Sequence, residues 1–136
     1  MITQKRQFRV SEAAALLGVS DDTVRRWGEA GRLEIDHNKR RAGVDGRTLA
    51  ALAQELAAES QLPVEFPQAK TSARNRITGI VTRVTVDGLM AQVELQAGPF
   101  RIVSLMSREA AEELQLEPGT LATASVKATN VTIDTP

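Results

Sequence analysis

Residues 72–107 read SARNRITGIVTRVTVDGLMAQVELQAGPFRIVSLMS, and their period decides the fold class of this half of the chain. Ile80, Val84 and Val86 fall on one face together with Thr82, while Ile77 and Val81 fall on the other, as a period of two requires. Asp87-Gly88 is a hairpin turn signal. Beyond it Leu89, Ala91, Val93 and Leu95 alternate with Met90, Gln92 and Glu94. Gly98-Pro99 breaks the chain before a further strand over 100–106. Ser107 is placed to cap a short helix, REAAEEL, with Glu109 at its positive end. Pro118-Gly119 then turns the chain into two last strands, 121–128 and 131–134. Five strands and one short helix predict a small OB-like β-barrel.

Moving towards the N-terminus, SQLPVEFPQAK (60–70) carries two prolines and no sustained period, which marks a linker. The domain boundaries expected are therefore 1–59, a linker at 60–70, and 71–136, in an α+β chain. Before the linker the apolar spacing is helical. Ser11 is the expected N-cap of a first helix with Ala13, Leu16 and Leu17 inward. Gly18 ends it, and Ser20 or Asp21 caps a second helix over 22–30 that buries Val24 and Trp27. Thr23, Arg25, Arg26 and Glu29 are left outward. Leu33-Glu34-Ile35 alternates as a short strand, and Asp45 caps a third helix with Leu49, Leu52, Ala53 and Leu56 inward. Two short helices around a glycine turn, the second bearing arginines, predict a winged helix-turn-helix, mostly α. Such a helix fits the major groove, where Arg bonds guanine or phosphate. The candidate DNA contacts are Ser20, Thr23, Arg25 and Arg26 on the second helix and Lys39, Arg40 and Arg41 on the wing.

Composition narrows the function classes. Lys+Arg and Asp+Glu total 17 each in 136 residues, so the net charge is zero. That balance conceals a local basic run: Arg25, Arg26, Arg32, Lys39, Arg40, Arg41 and Arg47 stand against Glu29, Glu34, Asp36 and Asp45. The absence of cysteine excludes disulfides, Fe–S clusters, thiolate zinc and a Cys nucleophile, and with one histidine no His-based metal site or catalytic triad is expected. His37, in the polar wing, reads as a solvated or phosphate-contacting side chain, and no direct metal-cation site is expected. Glu112-Glu113 are sequence neighbours and diverge on a helix, which makes a poor acid–base pair. An enzyme is not expected. MITQKRQFRV has no apolar signal core, and no apolar run of about 18 residues predicts a membrane span, so the expected location is the cytoplasm.

Two resemblances carry these readings further. VSEAAALLGVSDDTVRRWGEAGRLEI with the basic wing, over about residues 8–58, resembles the winged helix-turn-helix of MerR-type activators and phage excisionases. SARNRITGIVTRV (72–84), VSLMSREAAEELQLEPGT (103–120) and SVKATNVTI (125–133) resemble a Mop domain, the molybdate-binding unit of the TOBE class found in molbindins and molybdate-responsive regulators. The second resemblance implies binding of molybdate or tungstate between subunits of a homo-oligomer, from a dimer up to a hexamer. A tetrahedral dianion needs several donors and compensating positive charge. Ser72 and Arg74 form one candidate cluster, Lys127 and Thr129 another, with Ala73 and Ala128 supplying backbone donors; Ser104 and Ser107 border the helix start. Asn75 and Asn130 read as turn residues. Family members often carry Thr near position 103, where this chain has Val103. No organic cofactor is implied. Together the halves suggest an oxyanion-responsive transcriptional regulator on double-stranded DNA; the alternative is a molybdate storage or homeostasis protein whose N-terminal module mediates assembly.

Overall fold

The computed structural model describes residues 7–38, 40, 42–60 and 70–136. The chain divides into two compact units, Met1–Pro67 and Gln68–Pro136.

In the first unit the order is β1 (Gln7–Arg9), α1 (Val10–Leu17), α2 (Asp21–Glu29), β2 (Ile35–Asp36), β3 (Gly43–Asp45) and α3 (Gly46–Glu59). β3 is the middle strand of an antiparallel β1-β3-β2 sheet. α1 starts earlier than Ser11 predicts: Arg9 is the N-cap, and its N–H donates to Glu12 Oε1 at 3.1 Å. Starting at Val10 rotates the buried stripe onto Val10, Ala13 and Ala14, so Leu16 is solvent-exposed and only Leu17 packs inward. Gly18 closes the helix in the left-handed region at φ 70°, where a side chain would be strained. Ser20 caps α2 by accepting the Thr23 N–H at 3.2 Å. Val24 is fully buried between α1, α3 and the sheet residue Val44, while Trp27 is half-buried at the margin of the same core. Asp45 caps α3 through the Arg47 N–H, and Leu49 and Leu52 are its buried residues; Ala53, expected inside, is exposed. The expected strand over 33–35 is shifted to Ile35–Asp36, with Leu33 buried just before it.

The second unit is an antiparallel sheet in the order β6-β5-β4-β7, built from β4 (Asn75–Asp87), β5 (Met90–Ala97), β6 (Phe100–Ser107) and β7 (Leu121–Val126), with α4 (Arg108–Glu113) between β6 and β7. The long β4 organises it. Its first half, Asn75 to Ile80, pairs with β7, and its second half, Ile80 to Asp87, pairs with β5. Where it changes partner, Thr82 is an extra residue in a bulge between the Val81↔Leu95 and Arg83↔Glu94 rungs. The bulge resets the alternation, so Val81 and Val84 share the core face with Val93 and Leu95. That corrects the strict period-two assignment, which separated Val81 from Val84 and left Ile80 and Val86 with the latter; both are exposed. Gly79 sits at the tightest approach, where an added Cβ would lie 2.3 Å from the Gln96 carbonyl oxygen.

The expected five-stranded barrel is a four-stranded curled sheet among the described residues. β7 ends at Val126, a single 3₁₀ turn spans Ala128–Asn130, and residues 131–136 join no ladder. The strand predicted at 131–134 is thus not formed in a single copy.

Candidate functional site

The last rung of the β4·β7 ladder pairs Asn75 with Val126, and the Asn75 side-chain amide Nδ2 donates to the Val126 carbonyl at 3.2 Å. Asn75 is therefore a strand residue that ties the ladder end, in place of the turn role expected of it; Asn130 does sit in a turn, the 3₁₀ one. Arg74 directly precedes Asn75 and Lys127 directly follows Val126, so residues 72–74 and 127–129 both adjoin this last rung. Two clusters more than 50 residues apart in sequence are thus brought to one end of one strand pair.

The local chemistry there is cationic. Arg74 and Lys127 are exposed, and no carboxylate pairs with either among the described residues. Arg74 Nη1 donates to the Thr71 carbonyl at 3.3 Å, which holds its guanidinium near the ladder end. The Ala73 N–H is already engaged by Thr71 Oγ1 at 3.1 Å, so in this arrangement it is not a free donor. The N–H groups of Ala128 and Thr129, at the start of the 3₁₀ turn, have no acceptor among the described residues, because the bonds of that turn come from Asn130 and Val131. A dianion at this end would meet two cations, two backbone amides and the Ser72 and Thr129 hydroxyls.

The two remaining serines lie elsewhere. Ser107 pairs with Met90 beside the Asp87–Met90 hairpin, at the opposite end of β4, and its Oγ is occupied as the α4 N-cap by the Ala110 N–H at 3.1 Å. Ser104 lies midway along β6 and lines a cavity of about 300 Å3 whose other wall is β7. Within one chain residues 72–74 and 127–129 adjoin the same ladder end, Ser104 shares its cavity with Ser125 and Val126 just before them, and Ser107 lies at the far end of the sheet. The cavity was not anticipated. Its signal was the run of small and apolar residues at alternate positions, Ile102, Ser104 and Met106 on one strand and Ala122, Ala124 and Val126 on the other. The sequence reading also missed Glu94, whose mostly buried side chain binds Arg101 (Nε to Oε1, 2.6 Å) and faces Arg83 at 3.9 Å, which accounts for both of those cations.

In the first unit α2 presents an internally connected face. Arg26 Nη2 donates to Thr23 Oγ1 at 3.2 Å, Thr23 and Ser20 hydroxyls lie 2.9 Å apart, and Arg25 pairs with Asp22 at 3.5 Å. Arg32 leaves the basic run: it stacks 5.2 Å above the Trp27 ring and meets Glu55 and Glu59 at 3.6 Å each. Arg40 is exposed between β2 and β3, whereas Lys39 and Arg41 lie outside the described residues. Exposed His37 borders a hollow of about 440 Å3 with Gln7, Glu34, Asp36 and Asp45. Among the described residues no group of three His, Cys, Asp or Glu is arranged to hold a metal ion, and no helix is long and apolar enough to cross a membrane.

Comparison with known proteins concerns the second unit. The TOBE domain family matches residues 71–133. A molybdate-binding protein from Sporomusa ovata is 27% identical over 49% of this chain and 100% of its own, with a TM-score of 0.48. MopII from Clostridium pasteurianum is 36% identical over 48% of this chain and 100% of its own, with a TM-score of 0.46. The cytoplasmic molybdate-binding protein ModG, in a crystal form with molybdate bound, is 37% identical over 51% of this chain and 50% of its own, with a TM-score of 0.48. No curated protein matches the chain.

Proposed function

Because the chain belongs, through residues 71–133, to the TOBE domain family, we propose that its second unit is a receptor for a tetrahedral oxyanion of the molybdate class. The observation that supports this reading is that Arg74 and Lys127 flank the last rung of the β4·β7 ladder, with neither paired to a carboxylate among the described residues. The anion is held by those two cations, the Ser72 and Thr129 hydroxyls and the amides of Ala128 and Thr129. Ala73 contributes its amide once the anion displaces the Thr71 hydroxyl. Six or so donors suit an oxyanion that carries two charges and four acceptor atoms. Val103, Leu105, Phe100 and Leu121 are exposed on the strands of this unit, which favours a homo-oligomer with the anion between subunits, to which Ser104 and Ser107 of a neighbouring copy are available. Two of the named relatives are described as molybdate-binding proteins, and one of them as cytoplasmic; we extend both properties to this chain. On this reading it is a molybdate-binding protein of uptake balance or storage, with no catalytic role and no organic cofactor.

The test is a titration with molybdate, tungstate and sulfate, recording native mass and the number of anions per subunit. Saturable uptake at a defined ratio supports the receptor reading; uptake indistinguishable from a non-specific salt effect ends it.

A second reading adds DNA. It rests on α1 and α2 meeting through the Gly18 turn, with Arg25 and Arg26 exposed on α2 and Arg40 between β2 and β3, the layout of a winged helix-turn-helix. In this reading residues 1–59 bind double-stranded DNA, residues 60–70 link the units, and the anion changes operator affinity by fixing the spacing of paired first units. Linkage then requires DNA to change anion affinity by the same factor. DNA binding that weakens steeply with salt favours the regulator; its absence leaves the storage reading, with the first unit serving assembly.

A further inference from the structure

Thr71, the residue just before the SAR stretch, engages two of the groups assigned to the oxyanion, one with each of its oxygens. Its hydroxyl Oγ1 accepts the Ala73 N–H at 3.1 Å, and its carbonyl accepts Arg74 Nη1 at 3.3 Å. The two contacts differ in what they leave open. A guanidinium has several N–H donors, so the carbonyl bond fixes where Arg74 sits and leaves the others for an anion. A backbone amide has a single donor, so the Ala73 N–H serves nothing else while the Thr71 hydroxyl holds it.

Burial explains why that amide needs a partner. Ala73 is 9% exposed, in a stretch whose neighbours Thr71, Ser72 and Arg74 are all exposed, and a buried N–H without an acceptor is costly. The Thr71 hydroxyl meets that need in the anion-free protein. An oxygen of a dianion is a better acceptor than a neutral hydroxyl, since charge-assisted bonds are about twice as strong. The anion therefore takes the amide, but only by displacing the hydroxyl. Its apparent dissociation constant is then the intrinsic one divided by the fraction of chains whose amide is already released. The amides of Ala128 and Thr129 carry no such occupant among the described residues.

We propose that the Thr71 hydroxyl is a built-in competitor for the oxyanion, and that it sets the anion concentration at which the site fills. This rests on the oxyanion reading and adds the residue that regulates it. The competition acts on the anion-free protein alone. It therefore weakens every dianion that uses the Ala73 amide by one common factor.

Full-length Thr71→Val loses the hydroxyl and keeps the β-branched shape, whereas Thr71→Ser keeps the hydroxyl. Each is titrated calorimetrically with molybdate and, separately, with tungstate, beside the wild-type chain. Thr71→Val should bind both anions about fivefold more tightly, the worth of one neutral hydrogen bond, and Thr71→Ser should bind as the wild type does. Without anion the Thr71→Val midpoint should be unchanged or lower. Tighter binding by a protein that is no more stable is a signature that a merely structural residue cannot give. Equal or weaker binding of both anions by Thr71→Val overturns the competition and leaves the receptor reading standing. So does a gain confined to one anion, or an equal gain in Thr71→Ser. A wild-type chain that binds neither anion ends the receptor reading, and the competition with it.

Discussion

Removing Arg74 tests the oxyanion site most sharply, because its effects with and without anion have opposite signs. Arg74 and Lys127 each sit one residue beyond the last ladder rung, and both are exposed. Two exposed like charges near one ladder end repel weakly, and physiological salt screens most of that repulsion. Arg74→Ala should therefore leave the anion-free unit no less stable, with a midpoint unchanged or raised by about 1–2 °C. With molybdate at about 100 times its dissociation constant, the wild-type unit gains about 2.7 kcal/mol. For a unit of this size that is a rise of roughly 11–22 °C. One charge-assisted hydrogen bond is worth about 2 kcal/mol, so its loss weakens binding about 30-fold. The same molybdate concentration is then only about three times the dissociation constant, and the stabilisation drops to about 0.9 kcal/mol, or roughly 3–7 °C. Scanning calorimetry at fixed protein concentration, with sulfate as a parallel ligand, measures all four states. A variant that keeps the full molybdate-dependent rise refutes the site. A variant that melts several degrees lower without anion shows Arg74 to be a structural residue.

Gly79→Ala should destabilise the second unit by about 2–3 kcal/mol, because its Cβ meets the Gln96 backbone and backbone cannot yield as a side-chain tip can; calorimetry should show that transition lowered and the first unit's unmoved. Ser107→Ala should cost about 1 kcal/mol as a lost N-cap, seen as a lower denaturant midpoint at an unchanged slope. If the DNA reading holds, Arg25→Ala should reduce the slope of log affinity against log salt by about one, whereas Arg32→Ala should leave it alone, since Arg32 is held by Glu55 and Glu59. Equal slope changes in filter-binding titrations for the two would contradict that division of the basic run.

Element type was legible because it depends on local pattern. Ser20, Asp45 and Ser107 each cap the helix expected of them, and the Asp87-Gly88 and Gly98-Pro99 breaks separate the strands where the chain turns. Faces were less legible, because one residue of offset changes them. Starting α1 at Val10 in place of a Ser11 cap exposes Leu16, and the extra residue Thr82 transfers Val81 to the face of Val84. The first depends on the Arg9–Glu12 capping bond, with Arg9 not a residue type that marks an N-cap, and the second on which strand β4 abandons. Charge state was hidden in the same way. Arg32 is one more arginine in the basic run until the fold brings Glu55 and Glu59 to it.

The site was legible as residues and illegible as a place. SAR and KAT could be singled out for their donors, but their meeting is a matter of register. It follows only once β4 pairs with β7 from Asn75↔Val126 inward, so that one residue outward on each strand is a cation. Register also explains why Ser107 does not belong to that cluster within one chain: it is paired with Met90 of β5, which in turn pairs with Asp87 at the far end of β4. The error at 131–134 has the same origin. Alternation correctly identifies a segment that can be a strand, but a strand exists only when an edge accepts it. Here the chain's free edges and its free segment are both present and unjoined, which is why sequence pattern predicts a fifth strand and a single copy does not supply one.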